Sequence, residues 1–181
     1  MANIGDEIIN PRTGQRMRFV RTAAESGGTM LVVETVNPHG PAEPEHIHPE
    51  QESSARVLAG TLHFSIRNRT HAVPTGGKIT IPANIPHKFW NEGNEDAVAT
   101  QEFRPALRIE DFFETYFGLA RDGLLNAQGL PSPLRTAVLT RAFWREIRVT
   151  RPPALVQQAF ATLLSPLGQR RGYRARYADE A

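Results

Sequence analysis

A chain of 181 residues with 21 lysines and arginines against 19 aspartates and glutamates carries a formal charge of only +2. That length suffices for one well-buried core, and the charge lacks the basic excess of a protein that grips nucleic acid, so no nucleic-acid partner is expected. The absence of cysteine excludes disulfides, thiolate nucleophiles and cysteine zinc sites, which leaves any metal to histidine, carboxylate or water.

The start, "MANIGDEIINPRTGQRM", has no apolar run of the kind a signal peptide carries. No stretch approaches the ~18 apolar residues of a membrane span, and a soluble cytoplasmic protein is expected. Up to about Pro105, short β-type runs follow one another: "MRFV", "MLVVETV", "ARVLAG", "TLHFSI", "KITIP", "HKFW" and "AVATQEF". Turn signals such as "NPHGP", "RNR", "PTGG" and "NEGNED" separate them. This grammar predicts an all-β sandwich or closed barrel over residues 1–106.

Two stretches of that region carry chemistry. In "EHIHPEQESSARVLAG", His46 and His48 lie two apart, so on a strand they share a face and can reach one ion together. In "GGKITIPANIPHKFWN", Gly76 leads through Pro82 and Asn84 to His87 and Asn91. Gly60 and Gly76 are separated by enough chain for one hairpin, which would return His87 to the side of the pair.

From about Leu107 the pattern changes to helical spacing, in "IEDFFETYFGLARDG", "SPLRTAVLTRAFWREI" and "PPALVQQAFATLLSPLG". Residues 107–181 are therefore predicted to form a helical extension. Charge shifts close to the same boundary: residues 1–120 hold a net −4 and residues 121–181 a net +6. The basic tail is expected to pack its apolar stripe on the barrel or on a second subunit, giving a homodimer, rather than on an anionic membrane.

The two histidine segments resemble the paired motifs of the cupin superfamily, G(X)5HXH(X)3,4E(X)6G and G(X)5PXG(X)2H(X)3N. Gly40, His46, His48, Gly60, Gly76, Pro82, His87 and Asn91 all fall in register. The resemblance implies a double-stranded β-helix, or jelly-roll barrel, with the helical segment appended. It also implies a divalent metal on His46, His48 and His87, with Fe or Zn expected ahead of Mn, Ni or Cu. The extension, from "RPALR" and "FFETYFGLARDG" to a "GYRARY" tail, is similar to that of a group of bacterial single-domain cupins, a likeness that implies no reaction.

Two positions depart from the motifs. Asn84 replaces a glycine, a mild change because Asn tolerates the left-handed backbone region. Ser53 replaces the glutamate ligand. Counting back from Gly60 puts the ligand position at Ser53; counting forward from His48 admits Glu52 as a metal ligand only if the strand bulges, since a one-residue shift turns a side chain to the other face. Ser53 is thus expected inside, together with Ala55, and two small residues there suggest room in the cavity.

These residues predict a small-molecule enzyme of oxygenase type, or of Lewis-acid isomerase or cyclase type, with His46, His48, His87 and Glu102 catalytic. Ser53, Ala55, Phe64, Phe89 and Gln101 are expected to line the pocket, and either Gln101 or Glu102 to face inward. Without the glutamate the ion would favour anionic substrates. The alternative is a barrel with no cofactor that binds a small apolar or aromatic ligand, as a sensor, or that uses its histidines for acid–base isomerase or cyclase chemistry. His39 and His71 read as loop residues and His63 as a surface residue.

Overall fold

The computed structural model describes residues 2–177. Two antiparallel sheets face each other. The first holds β1 (Glu7–Ile9), β2 (Arg16–Arg21), β3 (Leu31–Asn37), β5 (Glu52–Ala59), β8 (Lys78–Ile81) and β10 (Ala97–Arg104), in the order β1-β2-β3-β10-β5-β8. The second holds β4 (His46–Ile47), β6 (Thr61–Ile66), β7 (Arg69–Pro74), β9 (His87–Trp90) and β11 (Arg148–Val149), in the order β11-β4-β9-β6-β7. Helices α1 (Ile109–Arg121), α2 (Pro133–Ala142) and α3 (Ala154–Arg170) follow the strand-rich part. The result is the expected jelly roll with a carboxy-terminal helical extension.

The strands form where side chains alternate. In β3, Leu31, Val33, Thr35 and Asn37 are buried while Val32, Glu34 and Val36 are only partly so. In β5, Ser53, Ala55 and Val57 point inward and Glu52, Arg56 and Leu58 outward. One part of the core lies between the sheets and includes Ala55, Val57, Leu62, Phe64, Ile81 and Ala99. Gly60 closes the β5–β6 turn at φ +74°, and a Cβ there would lie 3.1 Å from the Cα of Ala97, so only glycine fits without a shift.

The elements that depart from the sequence reading include β7 and the end of the second helix. The segment "RTHAVP" forms β7, although its one buried residue is Val73 and its exposed remainder gave no alternation to read. His71 consequently sits in a strand rather than a loop. The second helix ends at Ala142, short of the predicted run to Ile147, and the chain returns to the barrel as β11. A two-residue strand pairing with residues about 100 positions earlier leaves no periodic trace.

Candidate metal centre

The three histidines meet between the sheets. His46 and His87 stand directly opposite each other across the β4–β9 pair, and His48, just past β4, keeps the same face. Ring centroids are 4.4 Å apart for His46 and His87, 5.1 Å for His46 and His48, and 5.3 Å for His48 and His87. One ligand nitrogen from each lies within 4.8 Å of the others, and all three residues are buried. A tight turn helps to place His48: Asn84, at φ +63°, donates its backbone N–H to the His48 carbonyl at 2.8 Å. The left-handed conformation there is the one the sequence expected Asn84 to accept.

Each ring is held by its Nδ1. The Nδ1 atoms of His46, His48 and His87 lie 3.0, 2.7 and 2.8 Å from the carbonyl oxygens of Pro44, Glu146 and Ile85. A carbonyl can only accept, so each Nδ1 carries the proton and each Nε2 presents a lone pair. Burial reinforces this by disfavouring the imidazolium. It pulls His46 well below the ordinary histidine value of 6.5, with His48 and His87 adding to the effect. It takes His48 to about 3, with a further push from His87, and lowers His87, against which the Ile85 carbonyl and the Glu45 charge act. Three neutral imidazoles, oriented by hydrogen bonds and gathered in one buried cluster, fit a divalent transition metal.

A family model described as a cupin domain matches residues 32–100, which hold all three histidines. Residues 32–100 of the chain therefore form a cupin domain. Protein SchB of Streptomyces halstedii is 32% identical over 90 residues, 49% of this cupin and 64% of that protein. A protein of Arthrobotrys oligospora named as an oxidoreductase is 26% identical over 101 residues, 51% of this chain and 40% of its own. This cupin thus spans less than two thirds of the length of the curated relatives it matches. Among solved structures, an RmlC-like cupin of Shewanella frigidimarina gives a TM-score of 0.49 at 17% identity, covering 58% of this chain and 86% of that one. The polyketide cyclase RemF of Streptomyces resistomycificus gives 0.45 at 22% identity, covering 50% and 64%.

Around the trio, Ser53 is buried and stands between Phe103 on β10 and Ile81 on β8 in the strand register. Phe103 meets the His48 ring edge-on at 5.2 Å. Ala55, Phe64 and Phe89 also face the interior, the two phenylalanines stacked at 5.8 Å. Gln101 points inward, its Nε2 3.4 Å from Thr35 Oγ1.

Glu52 and Glu102 both lie away from the trio. Glu52, the competing ligand position, is exposed, because β5 runs without a bulge at that point and alternation sends it to the outer face. Glu102, expected to be catalytic, is also on the outer face of β10, where Arg104 donates to its carboxylate from Nη2 at 3.1 Å. The phase was legible: Ala97, Ala99 and Phe103 are the small and apolar positions of "AVATQEF", and Gln101 shares their parity. His63 is half-covered rather than superficial, stacked on Trp90 at a centroid distance of 5.7 Å.

Sequence reasoning missed Glu43 and Glu146. Glu43 sits in the loop before β4 with its Oε1 3.4 Å from His46 Nδ1. That oxygen is buried without a hydrogen bond, and burial pushes the carboxyl up to about 8, although other parts of the side chain reach solvent. Glu146 is buried just before β11, and its carbonyl is the one that holds His48. Loop placement hid the first and a separation of 98 residues hid the second.

Proposed function

We propose that this cupin is a cytoplasmic, homodimeric, metal-dependent enzyme that transforms a small organic molecule at His46, His48 and His87. The observation that carries this reading is the pattern of Nδ1 contacts, which leaves the Nε2 of each ring with a free lone pair in a buried cluster whose ligand nitrogens lie within 4.8 Å of one another. A divalent ion held there would supply Lewis acidity and, if iron, a redox centre. The chain's own residues define what such a centre accepts. Ser53 brings no negative charge, and burial, which pushes the Glu43 carboxyl up to about 8, disfavours the charged form there.

An oxyanion on the substrate is therefore the natural partner for the centre. Phe64, Phe89 and Phe103 offer an apolar, flat-sided wall, which suits an aromatic or otherwise apolar body. The naming of the Arthrobotrys oligospora relative as an oxidoreductase supports testing the oxygenase form before the isomerase or cyclase form. For the second subunit, α3 offers Leu155, Leu163 and Leu167, which stand exposed along one side of the helix.

Elemental analysis of untagged protein tests the reading. About one transition-metal ion per chain is expected, lost in His46→Ala and His87→Ala. Oxygen uptake with the substrate then separates the oxygenase from the isomerase or cyclase. A metal-free protein that binds a small apolar ligand equally well with and without His46 would replace this reading by the ligand-binding barrel.

A further inference from the structure

The three ring-orienting carbonyls come from different places. His46 is held by Pro44 and His87 by Ile85, each two residues upstream, so those contacts belong to the local chain. His48 is held by Glu146, 98 residues downstream in the carboxy-terminal extension. We infer that the extension is a working part of the metal centre: the Glu146 main-chain carbonyl sets the tautomer and aim of His48, and residues 145–150 are the strap that keeps it there. The inference rests on reading the trio as a metal site.

The strap grips the ligand-bearing segment along its whole length. Arg148 and Val149 pair with Ile47 and His46 as β11 against β4. Beyond them the Thr150 N–H donates to the Glu45 carbonyl at 3.1 Å, and its Oγ1 to Glu45 Oε2 at 2.7 Å. At the other end Arg145 Nε donates to Glu50 Oε2 at 2.8 Å, and the Glu50 N–H to the Arg145 carbonyl at 3.3 Å. The buried Glu146 side chain fixes the strap from behind, its Oε1 accepting from the Arg108 N–H at 3.2 Å. Residues 45 to 50 are thus tied at both ends and in the middle, and the carbonyl that meets His48 sits inside that frame.

The consequence is asymmetric. If the strap lets go, His46 and His87 keep their orienting partners, whereas His48 is free to place its proton on either nitrogen and to turn. A three-nitrogen site then becomes a two-nitrogen one. Loss of an outer hydrogen bond of this kind typically costs about 10–100-fold in metal affinity.

Long-range proton–nitrogen NMR of the imidazoles in metal-free protein, with zinc affinity measured by chelator competition, tests this. In the native chain all three rings are expected to be protonated on Nδ1. In Arg145→Ala combined with Thr150→Val, the His48 signals should move toward mixed tautomers while those of His46 and His87 stay, and zinc should bind at least tenfold more weakly. An ester in place of the amide between residues 146 and 147 weakens the acceptor without altering a side chain. It gives the same expected result if the double variant fails to fold. His48 keeping a single Nδ1–H tautomer and native zinc affinity in these variants would overturn the inference, as would an Nε2–H tautomer in the native chain. If the native chain takes no zinc, the metal reading falls, and the imidazole signals still decide what the Glu146 carbonyl does.

Discussion

Ser53 stands where the paired histidine motif would carry a glutamate, and its neighbours show what a replacement would meet. It faces the interior between Phe103 and Ile81, and Phe103 in turn touches the His48 ring. Ser53→Glu is expected to tighten zinc binding at least tenfold, because an anionic oxygen would offset the charge of the ion. It should also lower the stability of the metal-free protein by about 1–3 kcal/mol, the cost of burying an unpartnered polar group. Chelator competition and urea unfolding of the same variant check both halves, and unchanged zinc affinity would mean that position 53 does not reach the trio. Glu52→Ala should change neither quantity, since that side chain points to solvent. Strand alternation made this partition of Ser53 and Glu52 legible from sequence. The same parity puts Gln101 on the inner face of β10 and Glu102 on the outer one, where it pairs with Arg104. Glu43 and Glu146 were beyond reach, since loop geometry and long-range contact leave no local pattern.

Among the elements, the β6–β7 hairpin shows how a strand can be invisible while its turn is not. "RNR" reads as a turn, and Arg67 and Asn68 form a two-residue connection with φ of +49° and +63°. Positive φ at both central positions defines the turn type whose twist matches the flanking strands. Asn68 suits that conformation, whereas Arg67 adopts it against the clash of its Cβ with the following carbonyl. Arg67→Asn should therefore stabilise the protein by about 0.5–1 kcal/mol, the part of the left-handed penalty that Asn avoids. That corresponds to a rise in Tm of roughly 1–4 °C for a chain of this size. Calorimetry can resolve the shift, and a fall in Tm would show that the arginine side chain contributes more at the turn than its backbone strain removes. Strands with a buried face, such as β3 and β10, declared themselves through alternation. The solvent-facing β7 and the two-residue β4 and β11 did not, because pairing partners rather than composition make them strands.

The change from β to helical texture near residue 106 marks a boundary in sequence but not in the core. Met17, Phe19, Leu31, Val33 and Phe103 of the barrel form one buried cluster with Ile109 and Phe117 of α1. Phe113 adds an edge contact to Phe103 at 5.4 Å, and Phe103 is the residue that packs on His48. The first helix therefore fills the barrel on the same side as the three histidines, while β11 completes the sheet beside them. A barrel cut off after residue 106 would expose this cluster and lose both Ile109 and the strap. The molecule should consequently unfold as one unit. Phe117→Ala, which empties a site in the shared cluster, is expected to cost about 3–5 kcal/mol. The loss should appear equally in the helical signal at 222 nm and in the imidazole resonances of the barrel. Two separated transitions, with the barrel histidines unaffected while the helices melt, would show instead that the extension folds on its own. The single transition expected here follows from where the apolar side chains meet, which the texture of the sequence could not show.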